Sequence, residues 1–200
     1  MLCSPAAPAE MTQSACDAAV EKQESQIQAG CVVPPAPSAE LDHARYMSQA
    51  IALSARGGLE EKTGGCFGAV VVDGSTGEIV GEAFNRVVAD VDPSAHAEVL
   101  AIRRAAKRLG RPHLEGCVLY SSAQPCPMCH CTALWAHVDK VYYGATYQDV
   151  MHYGKFQDAD FLDEMLRPAD KKAMPVTPFM REEAVKPWIQ FENMPDKLHY

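Results

Sequence analysis

The sequence predicts an α/β fold, a sandwich of helices packed on a mixed five-stranded sheet. Three observations carry that expectation. From about residue 41 short apolar runs of strand character alternate with amphipathic helical stretches. Two of the runs flank Asp73-Gly74-Ser75-Thr76-Gly77, a turn sequence that closes a hairpin. Two later runs are separated by a helical stretch, the βαβ arrangement that makes neighbouring strands parallel.

Taken in order, residues 1–38 are rich in Ala, Pro, Ser, Gln and Glu and end in Val33-Pro34-Pro35-Ala36-Pro37. Such a segment cannot bury enough apolar area to offset its ordering entropy, so it reads as a disordered leader ahead of one domain over 39–200. A first helix is expected over about 41–56, with Met47, Ile51 and Leu53 in the pattern and Gly57-Gly58 as its stop. Phe67 to Val72 and Glu78 to Ala83 form the hairpin strands. A second helix runs from about Ala95 to Leu109, with Val99, Ile102, Ala106 and Leu109 on one face. Its basic residues Arg103, Arg104, Lys107 and Arg108 read as a solvated face. Cys117 to Ser121 is a strand, Pro127 to about His137 a helix, and Lys140 to Gly144 another strand. Beyond an acidic stretch at 158–164, Met174 to Thr177 reads as the fifth strand and Arg181 to Glu192 as the last helix.

The bulk properties narrow the function. The formal charge is −8 with no block of Lys and Arg, whereas nucleic-acid binders carry a basic stripe to neutralise phosphates. A small substrate is expected, and nucleic acid is not. No apolar stretch approaches the roughly 20 residues that cross a bilayer. The leader sets Glu10, Asp17, Glu21 and Glu24 against the single base Lys22, which is not a transit peptide, so a soluble cytoplasmic protein is expected. Eight cysteines are present, but a chain with 48% hydrophobic residues needs no disulfide framework. Cys66 and Cys117 sit beside strand-like runs, where a free thiol acts as a small hydrophobe.

Chemistry concentrates at two helix starts, each at the carboxyl end of a strand or turn, where α/β proteins bind ligands. Cys126 and Cys129 stand three apart with Pro127 suited to the first helical position, so both thiols share one face. A helix N-terminus also favours thiolate. His96 and Glu98 are two apart in the first turn of the preceding helix, so they can converge only on a point off the helix end. Two thiolates and one imidazole are a three-ligand zinc set whose fourth position is left for water, with its pKa lowered from about 15.7 towards 7. These ligands neutralise the metal, leaving Glu98 free to accept the water's proton. One zinc per chain is expected, since no second cluster shows ligand spacing. His130 and Cys131 lie off the face of the ligands.

These residues, His96-Ala97-Glu98 followed by Pro125-Cys126-Pro127-Met128-Cys129, carry the H-x-E…P-C-x-x-C spacing of zinc deaminases. With Gly64-Gly65-Cys66-Phe67-Gly68-Ala69, Asn85, Trp135 and Tyr200, the stretch from Leu41 to Tyr200 resembles the cytidine deaminase superfamily and, within it, the small bacterial-type guanine deaminases. The resemblance implies a three-layer α/β/α sandwich, zinc held by His96, Cys126 and Cys129, and Glu98 as the proton carrier. It implies a substrate site in which Asn85 hydrogen-bonds the ring, Phe67 and Trp135 are walls, and the Ala97 backbone touches the base. An aspartate, Asp158 or Asp160, and the terminal Tyr200 complete that site. The implied reaction is guanine to xanthine plus ammonia, with guanosine, cytosine, an aminotriazine or tRNA adenosine as alternative substrates. The implied assembly is a homodimer exchanging C-terminal segments. Cys66 replaces a usual proline, Gln124 a usual glutamate, and His130-Cys131 a small or apolar pair, all at the pocket rim.

Overall fold

The computed structural model describes residues 40–156, 158–168, 171–174 and 176–196, with the backbone alone at 158–160. The leader and Tyr200 lie outside the described residues, as do the side chains of Asp158 and Asp160.

Among the described residues the sheet has four strands: β1 (Gly68–Asp73), β2 (Ile79–Phe84), β3 (Cys117–Ala123) and β4 (Lys140–Ala145), in the order β2-β1-β3-β4. β1 pairs antiparallel with β2 and with β3, while β3 and β4 are parallel, so the sheet is mixed. It follows that β2, β3 and β4 point the same way and their carboxyl ends share one edge. The expected fifth strand at Met174 to Thr177 is not formed, and the described sheet is one strand short of the five expected. Pro175 inside this segment and Pro178 directly after it lack the N–H that a ladder needs, and Met174 and Val176 are exposed.

Helices lie on both faces. α1 (His43–Ala55) covers one; α2 (Ala97–Leu109) and α3 (Pro127–Trp135) cover the other. The period-2 alternation of β1 divides it between them, Val70 and Val72 packing towards Tyr46, Ala50 and Leu53 of α1, and Ala69 and Val71 towards Ala101, Ile102 and Ala105 of α2. The central strand is thus buried on both sides, which its unbroken valine run requires. Gly81 lets α2 approach β2, since a Cβ there would sit 2.3 Å from the Ala101 carbonyl oxygen.

α1 differs from expectation in its buried face. Tyr46, Ala50 and Leu53 line the core, whereas Ile51 is half exposed, because positions 46, 50 and 53 form the helical stripe and 51 falls outside it. Gly57-Gly58 does not end the helical backbone; a wider turn continues over Arg56–Glu60. Gly57 fits there against the Phe84 ring. The basic residues of α2 are exposed, and two of them also fasten the helix to β2: Arg104 donates to the Glu82 carbonyl and Arg108 to that of Ile79.

After β4 come a capped turn at Tyr147–Asp149, a wider turn over Val150–Gly154, then α4 (Asp158–Leu166) and α5 (Arg181–Glu192). α5 agrees with its expected bounds, while the acidic stretch proves helical. No described helix is long and apolar enough to cross a membrane.

Candidate active site

Two N-caps build the site. His96 is the N-cap of α2, in extended backbone conformation, and its carbonyl accepts the Leu100 N–H at 3.0 Å. The turn before it is set by Asp92, whose Oδ1 accepts from the N–H and hydroxyl of Ser94 at 2.8 and 2.7 Å. Arg86 N–H donates to the Ala95 carbonyl at 3.0 Å, fixing His96 beside the end of β2. Cys126 is the N-cap of α3, again extended, with Pro127 in the first turn. Gln124 N–H donates to the Ala145 carbonyl, tying this corner to β4. Both helix starts therefore open on the edge where β2 and β3 end.

There the side chains converge. Nδ1 of His96 lies 3.6 Å from Sγ of Cys126 and 3.4 Å from Sγ of Cys129. Metal bonds of about 2.3 Å to sulfur and 2.0–2.1 Å to nitrogen, at the tetrahedral angle, separate those atoms by about 3.6 Å. The donor set thus has the spacing of a zinc site before any metal is added. Its charge makes the same demand. Cys126 is pushed down to about 4, first by its hydrogen bond with Cys129 and further by His96. Cys129 is pushed up by that same bond, by burial and by Glu98. Without a cation the pair holds one proton between two sulfurs; a divalent ion lets both ionise.

Glu98 is buried beside this cluster. Its Oε1 accepts the Ser121 hydroxyl at 3.0 Å, and its Oε2 lies 3.3 Å from Sγ of Cys129. Burial raises its pKa, with the hydrogen bonds from Cys129 and Ser121 opposing. A carboxyl whose pKa burial raises above the ordinary carboxylate value is better suited to hold and release a proton.

A cleft of about 290 Å³ adjoins the cluster, lined by Lys62, Gly64, Phe67, Asn85, His96 and Phe156 among others. That is the lower end of the range for small-molecule pockets. Asn85 is 3% exposed, and three bonds hold it: its Oδ1 accepts the Val87 N–H, its N–H donates to Phe67, and its carbonyl accepts the Thr63 hydroxyl. Phe67 meets Phe156 edge-on at 5.3 Å.

The fold therefore brings together His96, Glu98, Cys126, Cys129, Asn85 and Phe67. Ala97 is buried in the first turn of α2 between the ligand and the carboxylate. Trp135 is not brought to the cleft within this chain: it stands at the far end of α3, 69% exposed. His130 and Cys131 face outward, and so does Cys66, contrary to its expected hydrophobe role, because it precedes β1 in an open loop. Ser121 was not singled out by the sequence, although two serines in the wholly buried β3 are a signal, since a buried hydroxyl needs a partner. Phe156 carried no signal. The structure also assembles a second potential ligand group, His113, Glu115 and His137, that linear spacing concealed.

Comparison with known proteins agrees with this geometry. Residues 40–145 match the family described as the cytidine and deoxycytidylate deaminase zinc-binding region. The chain is 36% identical to guanine deaminase of Bacillus subtilis (strain 168) over 160 residues, 80% of this chain and 100% of the relative. The X-ray structure of guanine deaminase from Bacillus subtilis superposes with a TM-score of 0.75, covering 80% of this chain and 99% of that one. Guanine deaminase from Nitrosomonas europaea superposes at 0.54 with 28% identity, over 66% of this chain and 71% of that one. A tRNA-specific adenosine deaminase of Aquifex aeolicus (strain VF5) is 41% identical over 97 residues, spanning 48% of this chain and 62% of the relative.

Proposed function

This chain belongs to the cytidine and deoxycytidylate deaminase family of zinc-dependent hydrolytic deaminases, and we propose that its substrate is guanine, converted with water to xanthine and ammonia. The observation that carries this is the confined cleft beside the His96, Cys126 and Cys129 cluster, with the buried carboxamide of Asn85 in its wall. The resemblance to guanine deaminase over the relative's whole length supports the choice among bases. The adenosine deaminase likeness stops near half of this chain, and the charge of −8 disfavours tRNA.

In this reading His96, Cys126 and Cys129 hold zinc, which when bound supplies the Lewis acidity that makes water nucleophilic near neutral pH. Glu98 takes the proton released as water adds to the ring carbon bearing the amino group. It delivers that proton to a ring nitrogen, then takes the proton of the newly added hydroxyl and passes it to the amine as the C–N bond breaks and the carbonyl forms, so the carboxylate ends as it began. Ser121 holds the Glu98 carboxylate in place. Asn85 hydrogen-bonds the ring, Phe67 stacks beside it, and the Ala97 backbone sits close enough to the ligands to touch the base.

A panel of guanine, guanosine, cytosine, adenine and an aminotriazine, followed by ultraviolet change and ammonia release, tests this. Guanine should give the highest kcat/KM by at least tenfold. Preference for any other member would overturn the assignment, and tRNA turnover exceeding guanine turnover would favour the second likeness.

The assembly we infer is a homodimer in which C-terminal segments complete the partner's site through Tyr200 and either Asp158 or Asp160, with Trp135 of α3 as a further wall. Its support is the apolar surface this chain leaves open around Phe179, Trp188 and Ile189. Mixing a chain lacking 197–200 with a Glu98→Gln chain is the test. Exchange places both lesions in one site of the heterodimer and restores activity at the other; without exchange, activity does not return.

A further inference from the structure

At the opposite end of the sheet from the catalytic cluster, two connections meet. One joins α2 to β3 and carries His113 and Glu115; the other joins α3 to β4 and carries His137. They are bound to each other by backbone. Leu114 N–H donates to the Ala136 carbonyl at 2.6 Å, and both residues are buried, so the neighbours His113 and His137 have their Cα positions fixed. Asp139 secures the corner, its Oδ1 accepting the Gly116 N–H at 3.0 Å and its own N–H donating to the Cys117 carbonyl.

The side chains converge on one carboxylate oxygen. Nδ1 of His137 is 3.0 Å and Nδ1 of His113 3.6 Å from Oε1 of Glu115. Arg111 occupies the other side, its guanidinium donating to Oε2 at 3.1 Å and to the Glu115 carbonyl at 3.0 Å. Arg111 thereby turns Oε1 towards the histidines, as outer partners orient a metal-binding carboxylate. Nε2 of His113 is buried without a hydrogen-bond partner among the described residues, so Nδ1 is the nitrogen left to bind a ligand.

We propose that His113, Glu115 and His137 form a second metal site, an exchangeable one for a divalent transition ion. Bonds of about 2.0–2.2 Å to nitrogen and oxygen, at angles from octahedral to tetrahedral, set ligand atoms about 2.8–3.6 Å apart. The two nitrogen-to-oxygen separations fall on that range. All three ligand atoms lie within 4.8 Å of one another. Two imidazoles and one carboxylate select zinc, nickel or copper over magnesium or calcium, which take oxygen ligands. The imidazoles are stacked, with centroids 4.2 Å apart and planes at 17°. Sharing an ion requires the half-exposed His137 ring to turn off that stack, which solvent on its outer side permits. Exposure also leaves the remaining coordination positions to water, so the ion exchanges freely. β3 separates this site from the catalytic one by about 20 Å, given roughly 3.3 Å per residue over its length. The ion would clamp the far end of α3, the helix whose first turn carries Cys126 and Cys129.

Nickel is the probe because elemental analysis separates it from resident zinc. Full-length, zinc-loaded protein is dialysed against Ni²⁺, and both metals are measured per chain. Expected are one zinc and one nickel, with the imidazole nitrogens of His113 and His137 shifted in ¹⁵N-edited spectra. His113→Gln or His137→Asn should weaken nickel binding at least tenfold, and the double variant should abolish it. Zinc content and deaminase turnover should stay at the unmodified level in all three, which shows that they fold. His137→Asn is chosen because His137 has φ of 51°, a conformation asparagine tolerates. No bound nickel, nickel that merely replaces zinc, or nickel retained by the double variant would each overturn the proposal.

Discussion

Gly64→Ala should disable the cleft without touching the metal ligands. A Cβ at Gly64 would fall 1.9 Å from Oδ1 of Asn85 and 2.9 Å from its Cγ, whereas ordinary contact begins near 3.4 Å. The carboxamide must therefore move by about 1.5 Å. It cannot slide, because the backbone on either side is pinned by the bonds to Phe67 and Thr63. It must rotate, which breaks the 3.1 Å bond from Val87 N–H and swings the amide off the ring it is proposed to hold. A misplacement of about 1 Å at a positioning group can cost on the order of 10² in rate, so kcat/KM on guanine should fall by about that factor. Forcing a methyl into a packed site also costs about 1–3 kcal/mol, a fall in Tm of roughly 2–12 °C for a domain this size. Zinc should remain at one per chain. The assay is steady-state ultraviolet turnover well below the melting transition, with metal analysis and a thermal melt on the same preparation. A variant with wild-type kcat/KM would refute the reasoning, since it would mean either that Asn85 does not contact substrate or that the cleft is not closed where Gly64 meets it.

Three further outcomes follow from the same site. Glu98→Gln should keep its zinc, since the residue is not among the three converging ligands, and lose about 10² to 10⁴ in kcat; substantial residual turnover would remove the proton-transfer role. Asn85→Ala should lower kcat/KM while leaving zinc intact, and unchanged kinetics would reduce Asn85 to a turn-former bonded to Val87. Among the described cysteines, alkylation of the native zinc-loaded protein at pH 8 should modify exposed Cys66 and Cys131 and spare Cys117, whose thiol burial pushes up to about 11. Peptide mass spectrometry showing Cys117 labelled as fast as Cys66 would contradict that.

The parts of the fold that were legible in the sequence are those governed by short-range rules. Hairpin, crossover helix and the start of α3 could be read because each is signalled within a few residues, by a glycine turn, a 3.6-residue stripe, or Pro127 beside Cys126, whereas His96, expected inside the first turn of α2, is its N-cap. The residues of the candidate site were legible for the same reason: His96 and Glu98 are one local pair, Cys126 and Cys129 another, and the two pairs sit at equivalent helix starts. What escaped depends on contacts across the fold. The strand expected near Met174 rested on β-propensity alone, which carries little weight without a partner strand. Ser121 meets Glu98 through the β3–α2 packing, and Phe156 meets Phe67 through a loop whose path no periodicity gives. His113, Glu115 and His137 come from two separate connections, and only the bond between Leu114 and Ala136 makes them neighbours.

The site residues implied by resemblance divide along the same boundary, and that division bears on how the cleft is completed. Asn85, Phe67 and Ala97 come to the cleft or its ligands from elements of one sheet edge. Trp135 does not, and neither the Asp158 and Asp160 side chains nor Tyr200 lie among the described residues. A tryptophan serving only its own chain's core would be covered, yet Trp135 is 69% exposed on the helix that carries two proposed ligands. Covering the rest of such a side chain is worth on the order of 3 kcal/mol, from roughly 150–250 Å² of area at about 25 cal/mol per Å². Trp188, exposed on α5, offers a gain of similar size. Leaving both uncovered would forgo an amount comparable with half the stability of a modest domain. The proposed second copy, supplying a wall to this cleft while burying its own exposed aromatics, would account for both facts. It predicts that dilution below the dissociation constant of such a pair lowers specific activity with the zinc content unchanged, whereas a self-sufficient chain keeps its specific activity at every concentration.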